Sequence, residues 1–587
     1  MCKRRVSVLV AVGVLLLLGV PRVQASGSSD SLVNFWDAWT RDIAVEQLSF
    51  VMAREEGVPR SHGVAVCRLK VSNLSAGTRA VRLSSLSYKE GRGRETVQYQ
   101  QTCTLDPQQS AIVCFTFLPI GDHPYSRTLQ VEIDGTPKGT VVLDPFPWIH
   151  QHGNPIRQFM LSPSISKAAI EYRVENLSTA DHPVRLWSKD WRFLEGQIPV
   201  PEWPALWLAY TPADCVVLTK GEWEALPQDV RDALLGYLQA GGGLILAGAR
   251  EEEIGRYGIP VGFGVVRALS SAVPEEWTQE DVNVLIAVSD QFQWQFRGSW
   301  ASAPANRLFS PPPLVPVYVM LLGVMLFIGP GLLVILALRD MRIRIYWIAP
   351  SIAGGVSLVI LLFALFRDGI SPVTHARSVL YLNEVAQTQV QLTTLSVMAP
   401  AGLHAPLRFP SSSEITPSPS NENFPSGHKT VSLADDLALN SAWVPSRVPI
   451  AFLLRDTGPL TVPKLAFDGN AAVTNPYPVP IRRLLYCDAG GRGYALDAPL
   501  PPGATATLKP RTTSADVRPQ DIAKAVRDIF CSAEPFERGG LLALPPTVPL
   551  PPGMYLCELD GTPFLTHPVR QRKVRHQGET IVWGEMQ

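Results

Sequence analysis

The sequence lacks a net charge: Lys+Arg and Asp+Glu each number 52. Without a basic excess there is no long-range attraction for a phosphate backbone, so nucleic acid is not an expected partner. Charge is scarce altogether, at 18% of residues, and apolar residues make up 46%. Several motifs are missing. There is no CxxC pair or zinc-ligand spacing, which removes the common structural zinc sites. There is no GxxxxGK[ST], and no GxGxxG follows a strand, which removes the usual phosphate-cradling loops. Histidine is absent between His182 and His375. No cofactor or metal is expected. Fifty-two prolines argue against long soluble helices and for turns, strand edges and linkers.

What is present begins with apolar runs. Lys3, Arg4 and Arg5 precede the apolar stretch Val6 to Val20, and Val23-Gln24-Ala25 fits a cleavage site, the pattern of a secretory signal over 1–25. Leu314 to Leu338 and Ile345 to Phe366 are free of charge and read as a transmembrane helical hairpin over 314–366. The loop between them, 339–344, carries Arg339, Arg342 and Arg344 and is expected in the cytoplasm. The expectation is a multi-pass protein of the bacterial inner membrane with both large parts on the periplasmic side. Its partners would be the lipid bilayer and other envelope or membrane proteins. The spans hold no internal ionisable residue, so they offer no ion path.

Seven cysteines follow the signal: Cys67, Cys103, Cys114, Cys215, Cys487, Cys531 and Cys557. Cys103 and Cys114 flank the turn in QTCTLDPQQSAIVCF. A hairpin centred between Gln108 and Gln109 would set them opposite each other, allowing either a cross-strand disulfide or two small buried side chains.

Residues 60–145 alternate apolar and polar positions in short runs, CRLKVSN, AIVCFTF and TLQVEIDG, the pattern of a β-sandwich. CRLKVSNLSAGTRAVRL (67–83) aligns with IEYRVENLSTADHPVRL (170–186). The second stretch reads either as a β repeat or as a helix with Ile170, Val174 and Leu177 on one face and Ser164 as its cap. From 155 the pattern becomes α/β. CVVL (215–218) is a wholly apolar strand. Pro227 and Asp229 open a helix with the stripe Val230, Ala233, Leu234, Tyr237 and Leu238. Gly241 suits a left-handed C-cap, and GLILAG is a second parallel strand.

The run ADCVVLTKGEWEALPQDVRDALLGYLQAGGGLILAG, with GFGVV at 262–266, resembles the glutamine-amidotransferase-like domain of uncharacterised bacterial membrane proteins. FDGNAAVTNPYPVPIRRLLYCDAGGRGYALDAPLPPGATATL resembles their terminal β-domain. The resemblance implies a bacterial envelope protein and supplies no activity. Active class I amidotransferases place a cysteine in the turn after such a strand. Here the matching turn is Gly248-Ala249-Arg250, without a nucleophile. Cys215 lies inside an apolar strand, where burial makes a thiol inert. The turn's edge could still bind a ligand, because α/β crevices lie at strand carboxyl ends. The residues expected there are Thr219, Lys220, Glu222, Gly248, Arg250 and Glu251.

Weaker signals read as structure. His150 and His152 lack a third ligand, and Glu251-Glu252-Glu253 reads as a solvated helix start. Asn73 and Asn176 are glycosylation sequons only in a eukaryotic secretory route. RQRKVRH (570–576) reads as an exposed basic face.

The expected fold is a multidomain α+β membrane protein. A signal (1–25) precedes a β-sandwich (26–150), a flavodoxin-like, amidotransferase-like α/β domain (151–290) and a linker (291–313). After the hairpin come a β-rich domain (367–463) with a mobile loop at 411–427 and an Ig-like β domain (464–587). The expected role is non-catalytic: protein–protein assembly or ligand sensing. The alternatives are an accessory subunit of a membrane transport complex and an enzyme of unrecognised chemistry.

Overall fold

The computed structural model describes residues 42–50, 59–60, 63–88, 96–118, 125–143, 148–149, 157–177, 191–196, 198–256, 262–291, 318, 322–338, 345–368, 371–400, 403, 405–417, 428–433, 436–440, 443–446, 448–468, 472–511, 550–569 and 574–586. The expected signal, His150, His152, the strand at 184–188, the arginine loop, most of 411–427 and the helix at 520–531 lie outside them.

The described structure is mostly β-sheet. A three-stranded antiparallel sheet (Ile43–Phe50, Ala65–Asn73, Ser110–Phe117) faces a seven-stranded one. The seven strands run in the order Leu407–Pro410, Asp436–Leu439, His428–Leu433, Thr96–Leu105, Arg79–Tyr88, Tyr125–Ile133 and Thr136–Val142. Alternation puts Leu69, Val71, Phe115 and Phe117 of the first sheet into one core with Leu83, Tyr99, Leu129 and Val131 of the second. The seven-stranded sheet therefore draws strands from both sides of the apolar runs, joined where His428–Leu433 pairs parallel to Thr96–Gln101.

A nine-stranded sheet is built around a parallel pair, Val373–Asn383 and Arg575–Glu585. One wing continues through Thr388–Met398 and Ile450–Pro459, the other through Met554–Asp560 and Ile481–Cys487. A small sheet (Ala466–Phe467, Ala472–Thr474, Thr505–Thr507) shares a core with this second wing through Val473, Tyr477, Leu484 and Leu559.

Between these lies the expected α/β unit. Its five strands are all parallel, in the order Trp191–Glu195, Arg157–Leu161, Cys215–Thr219, Gly243–Ala247 and Val265–Leu269. The period of two divides its faces. Cys215, Val217 and Ile245 meet Ile170, Val174, Val282 and Leu285 of the helices Lys167–Leu177 and Gln279–Gln291. Val216, Leu218, Leu244 and Leu246 face the helix Gln228–Gln239 on the other side. That side docks on the nine-stranded sheet. Gln239 Nε2 donates to Thr388 Oγ1 at 3.1 Å, and Trp207 Nε1 to the Ser412 carbonyl at 3.1 Å. The Phe263 ring meets Tyr381 and Trp583 edge-on, at 6.2 and 5.9 Å.

Residues 167–177 form a helix, so 170–186 does not repeat the strand at 67–73. Its N-terminal partners are Ser166, whose Oγ accepts from Ala169 N at 3.3 Å, and Glu195, which accepts from Lys167 N at 2.9 Å. Ser164, the expected cap, instead donates to Glu222. The three glycines after Gln239 do separate jobs. Gly241 has φ +108° and stops the helix. A Cβ at Gly242 would sit 2.2 Å from the Tyr237 ring, so a bare backbone is needed for that ring to pack. Gly243 begins the strand, its N–H bonded to the Asp214 carbonyl at 3.0 Å.

Among the described residues no helix is long and apolar enough to cross a membrane. This overturns the two transmembrane helices expected over 314–366, and with them the multi-pass inner-membrane placement. The first run is interrupted by a π turn at Phe327–Gly331 containing Pro330, and regular helix resumes only for Leu332–Leu338. Pro330 has no N–H to give to a helical ladder. The second is a continuous helix, Ile345–Asp368, with Pro350 inside it. Met325, Leu338, Tyr346 and Trp347 are exposed. The finding concerns helices alone.

Candidate functional site

All six residues expected to form a crevice do come together. Thr219 and Glu222 follow one central strand of the parallel sheet, Gly248, Arg250 and Glu251 follow the next, and Lys220 bridges them. What they form is a closed edge. Thr219 and Glu222 make a reciprocal capping box: Glu222 Oε2 accepts from Thr219 N at 2.9 Å, and Thr219 Oγ1 accepts from Glu222 N at 3.3 Å. Ser164 Oγ donates to the other oxygen of Glu222 at 2.8 Å. On the neighbouring turn Glu253 Oε2 accepts from Arg250 N at 3.0 Å, and Lys220 Nζ meets both Glu253 oxygens at 3.1 Å. These contacts, the Arg250 backbone bond first and Lys220 next, hold the Glu253 carboxyl below its ordinary range. Glu251 accepts from Ala268 N at 3.1 Å and pairs with Arg267 at 3.5 Å.

A third corner repeats the device. Asp281 accepts from Ser270 N and Ser270 Oγ at 2.8 and 2.7 Å, and from Thr278 N and Thr278 Oγ1 at 2.7 and 2.8 Å. Burial alone would raise its carboxyl; the four donated hydrogen bonds outweigh that and lower it. Each helix N-terminus at this edge that could attract a substrate anion is thus filled by a carboxylate of the chain itself. Sequence reading missed Glu195, Ser270 and Asp281, and gave Ser164 and Glu253 other roles, a cap for the next helix and a solvated helix start. Thr219-x-x-Glu222 and Thr278-x-x-Asp281 carried the capping-box spacing that could have found two of these corners.

The turn Gly248-Ala249-Arg250 contains no Ser, Cys or Thr. Gly248 has φ +79°, donates to the Leu269 carbonyl at 2.9 Å, and a Cβ there would press on Ala272 at 3.2 Å. Ala249 is buried. Cys215 is wholly buried and burial drives its thiol far up, with Asp214 adding to the shift. Tyr237 lies beside it, donating to the Ala213 carbonyl at 2.8 Å while accepting from Gly243 N at 3.3 Å. Cys215 and Tyr237 are both buried and packed here.

Cys103 and Cys114 are free thiols. A turn does form between them, but at Asp106–Gln109, one residue before the expected centre, with Gln108 at φ +59° and Gln109 N bonded to Asp106 O at 3.0 Å. The strands it joins enter different sheets. Cys103 pairs with Val81 and Cys114 with Arg68, so they are not register partners. Among the described residues no group of three His, Cys, Asp or Glu side chains could hold a metal ion.

Away from the parallel sheet, a depression of about 480 Å³ opens on the outer edge of the seven-stranded sheet. Ala438 leaves room between Arg408 and Ser432, its neighbours across the register, and Thr430 and Asp436 stand at the rim. Arg408 and Asp436 approach to 3.7 Å. No protein-family model matches the chain, and no curated protein matches it either.

Proposed function

We propose that this chain is a non-catalytic assembly protein in which the amidotransferase-like α/β unit is a packing module. One observation carries the reading: the edge where an α/β enzyme works is closed by Glu222, Glu253 and Asp281, each bonded to the backbone of its own turn. The turn in the nucleophile position holds glycine and a buried alanine. The opposite helical face is committed to the nine-stranded sheet through Gln239, Trp207 and Phe263. Binding a substrate there would require breaking bonds that cap the helices.

The test is purification of the full chain under mild conditions with its mass measured, together with assays for glutamine, amide and ester hydrolysis. A stoichiometric protein partner and no hydrolysis are expected. Hydrolysis lost on Arg250→Ala or Glu222→Gln would sink the reading. The depression at Arg408 favours a second role, ligand sensing; a partner released by a small ligand, and retained in Ala438→Trp, would distinguish it.

A further inference from the structure

The segment from Gly561 to Val569 straps across the start of the Arg575–Glu585 strand. Its first end is held by Thr580 Oγ1, which donates to the Gly561 carbonyl at 2.8 Å, and by Phe564, whose ring meets Tyr477 at 5.3 Å. Its far end reaches the other large sheet: Arg408 N donates to the Pro568 carbonyl at 3.0 Å. Arg408 belongs to the edge strand of the seven-stranded sheet, whereas Thr580 belongs to the nine-stranded one. Immediately before Pro568, the His567 ring stacks on His576 with centroids 3.7 Å apart and planes inclined by 31°. His576 Nδ1 shares a hydrogen bond with Thr374 Oγ1 at 2.7 Å, and His567 Nδ1 is buried without a hydrogen-bond partner among the described residues.

We propose that the stacked imidazoles of His567 and His576 are an acid-released latch, fastening the 561–569 strap and through it the seven-stranded sheet to the nine-stranded one. Two neutral rings stack favourably; two imidazolium rings at this distance repel, and a proton on His567 Nδ1 would be a buried donor with no acceptor. Among the described residues the neighbouring carboxylates are already engaged. On the pair's own strand stand Arg575 and Glu579, on the adjacent strand His375 and Arg377, and across the strap Arg408 and Asp436. Glu579 is engaged by Arg377 at 3.1 Å, Asp436 faces Arg408 at 3.7 Å, and Asp560, at the strap's base, is bound to Arg482. Burial first, and the neighbouring ring second, push His567 down to about 4, and burial lowers His576 as well. The sign follows. The open strap has ordinary histidines that take up protons near pH 6.5, whereas in the closed strap His567 refuses its proton until near 4 and His576 is lowered in the same direction. Closure is therefore complete above about pH 6.5 and weakens as pH falls from there toward about 4.

The experiment is amide hydrogen exchange on the full chain at about pH 7.5 and about pH 5, corrected for intrinsic exchange. Peptides covering 405–410 and 561–569 should lose protection by about tenfold or more at the lower pH, while the Cys215–Thr219 strand keeps its own. His567→Phe, which stacks but does not titrate, should hold protection at both values; His576→Phe serves if that variant does not fold. Equal protection at both pH values in the unmodified chain would overturn the latch. So would a loss shared with Cys215–Thr219, or one unchanged in the phenylalanine variant.

Discussion

Asn73 occupies a sequon, yet its side chain is fully buried. Its Nδ2 donates to the carbonyls of Gly77, Leu105 and Asp106 at 2.8, 3.0 and 3.1 Å, and its Oδ1 accepts from Ser75 N at 3.0 Å. Asn73→Ala strands these groups in the core and should cost about 2–3 kcal/mol, read from the shift in a urea midpoint; an unmoved midpoint would show that the corner holds without it. Nothing in the triplet Asn-Leu-Ser distinguishes a buried corner from a surface loop, because burial is decided by strands that arrive later. Cys215 was legible for the opposite reason: its neighbours Val216, Val217 and Leu218 are all apolar and only a buried strand tolerates that run. Burial raises the thiols of Cys67, Cys215 and Cys557. At neutral pH these three should resist iodoacetamide in the folded chain and react within minutes in denaturant, with mass spectrometry as the readout.

The asparagine corner recurs as an element. Asn475 Nδ2 donates to the carbonyls of Val479 and Leu500 at 3.0 Å each, and Oδ1 accepts from Tyr477 N at 2.9 Å, the same offsets of four and two residues seen at Asn73. Both corners tie a strand end to a turn rich in proline or glutamine, Asp106–Gln109 in one case and Pro501–Gly503 in the other. The repeat sought in the sequence joined 67–83 to 170–186, by chance agreement of a strand with a helix; the recurrence in space lies between segments of little shared sequence. Helix stops and starts read more truly. Asp229 in the first turn and Gly241 past the last serve as expected, because caps depend on local chemistry, while Pro227 stands one place earlier than expected, as the N-cap before Gln228. Strand partners do not. Arg377 and Glu579 are buried register partners on the central parallel pair, bonded at 3.1 Å, and no local pattern links them. Glu579→Leu alone should cost about 3–5 kcal/mol by taking the carboxylate from a buried guanidinium, whereas Arg377→Met with Glu579→Leu should recover most of it. A double variant as unstable as the single one would contradict this account.

Across the whole molecule the α/β unit was legible and its surroundings were not. Its strands are continuous apolar runs with helices between them, a pattern written in adjacent residues. The residues expected at the crevice lie at neighbouring strand ends, but their capping bonds were not foreseen, since Glu222 was read as facing a ligand and Glu251 to Glu253 as solvated. Helices expected to span a membrane were inferred from uncharged length and the arginines between the two runs, and a π turn at Phe327–Gly331 breaks the regular helix of the first. The docking face should be measurable through Trp583, which packs on Tyr381 at 4.8 Å and meets Phe263. Trp583→Ala should cost about 3–5 kcal/mol and open the α/β unit to proteolysis near Phe263 before the rest of the chain.

The pairing of Thr96–Gln101 with His428–Leu433 also sets a schedule. On a ribosome adding about 5–20 residues per second, the earlier strand emerges roughly 15–65 s before its partner is made. For that interval one rim of a nascent sheet has open N–H and C=O groups and no partner. The Gln98, Gln100 and Thr102 side chains along that strand are polar, which suits an edge obliged to wait in water without recruiting another chain.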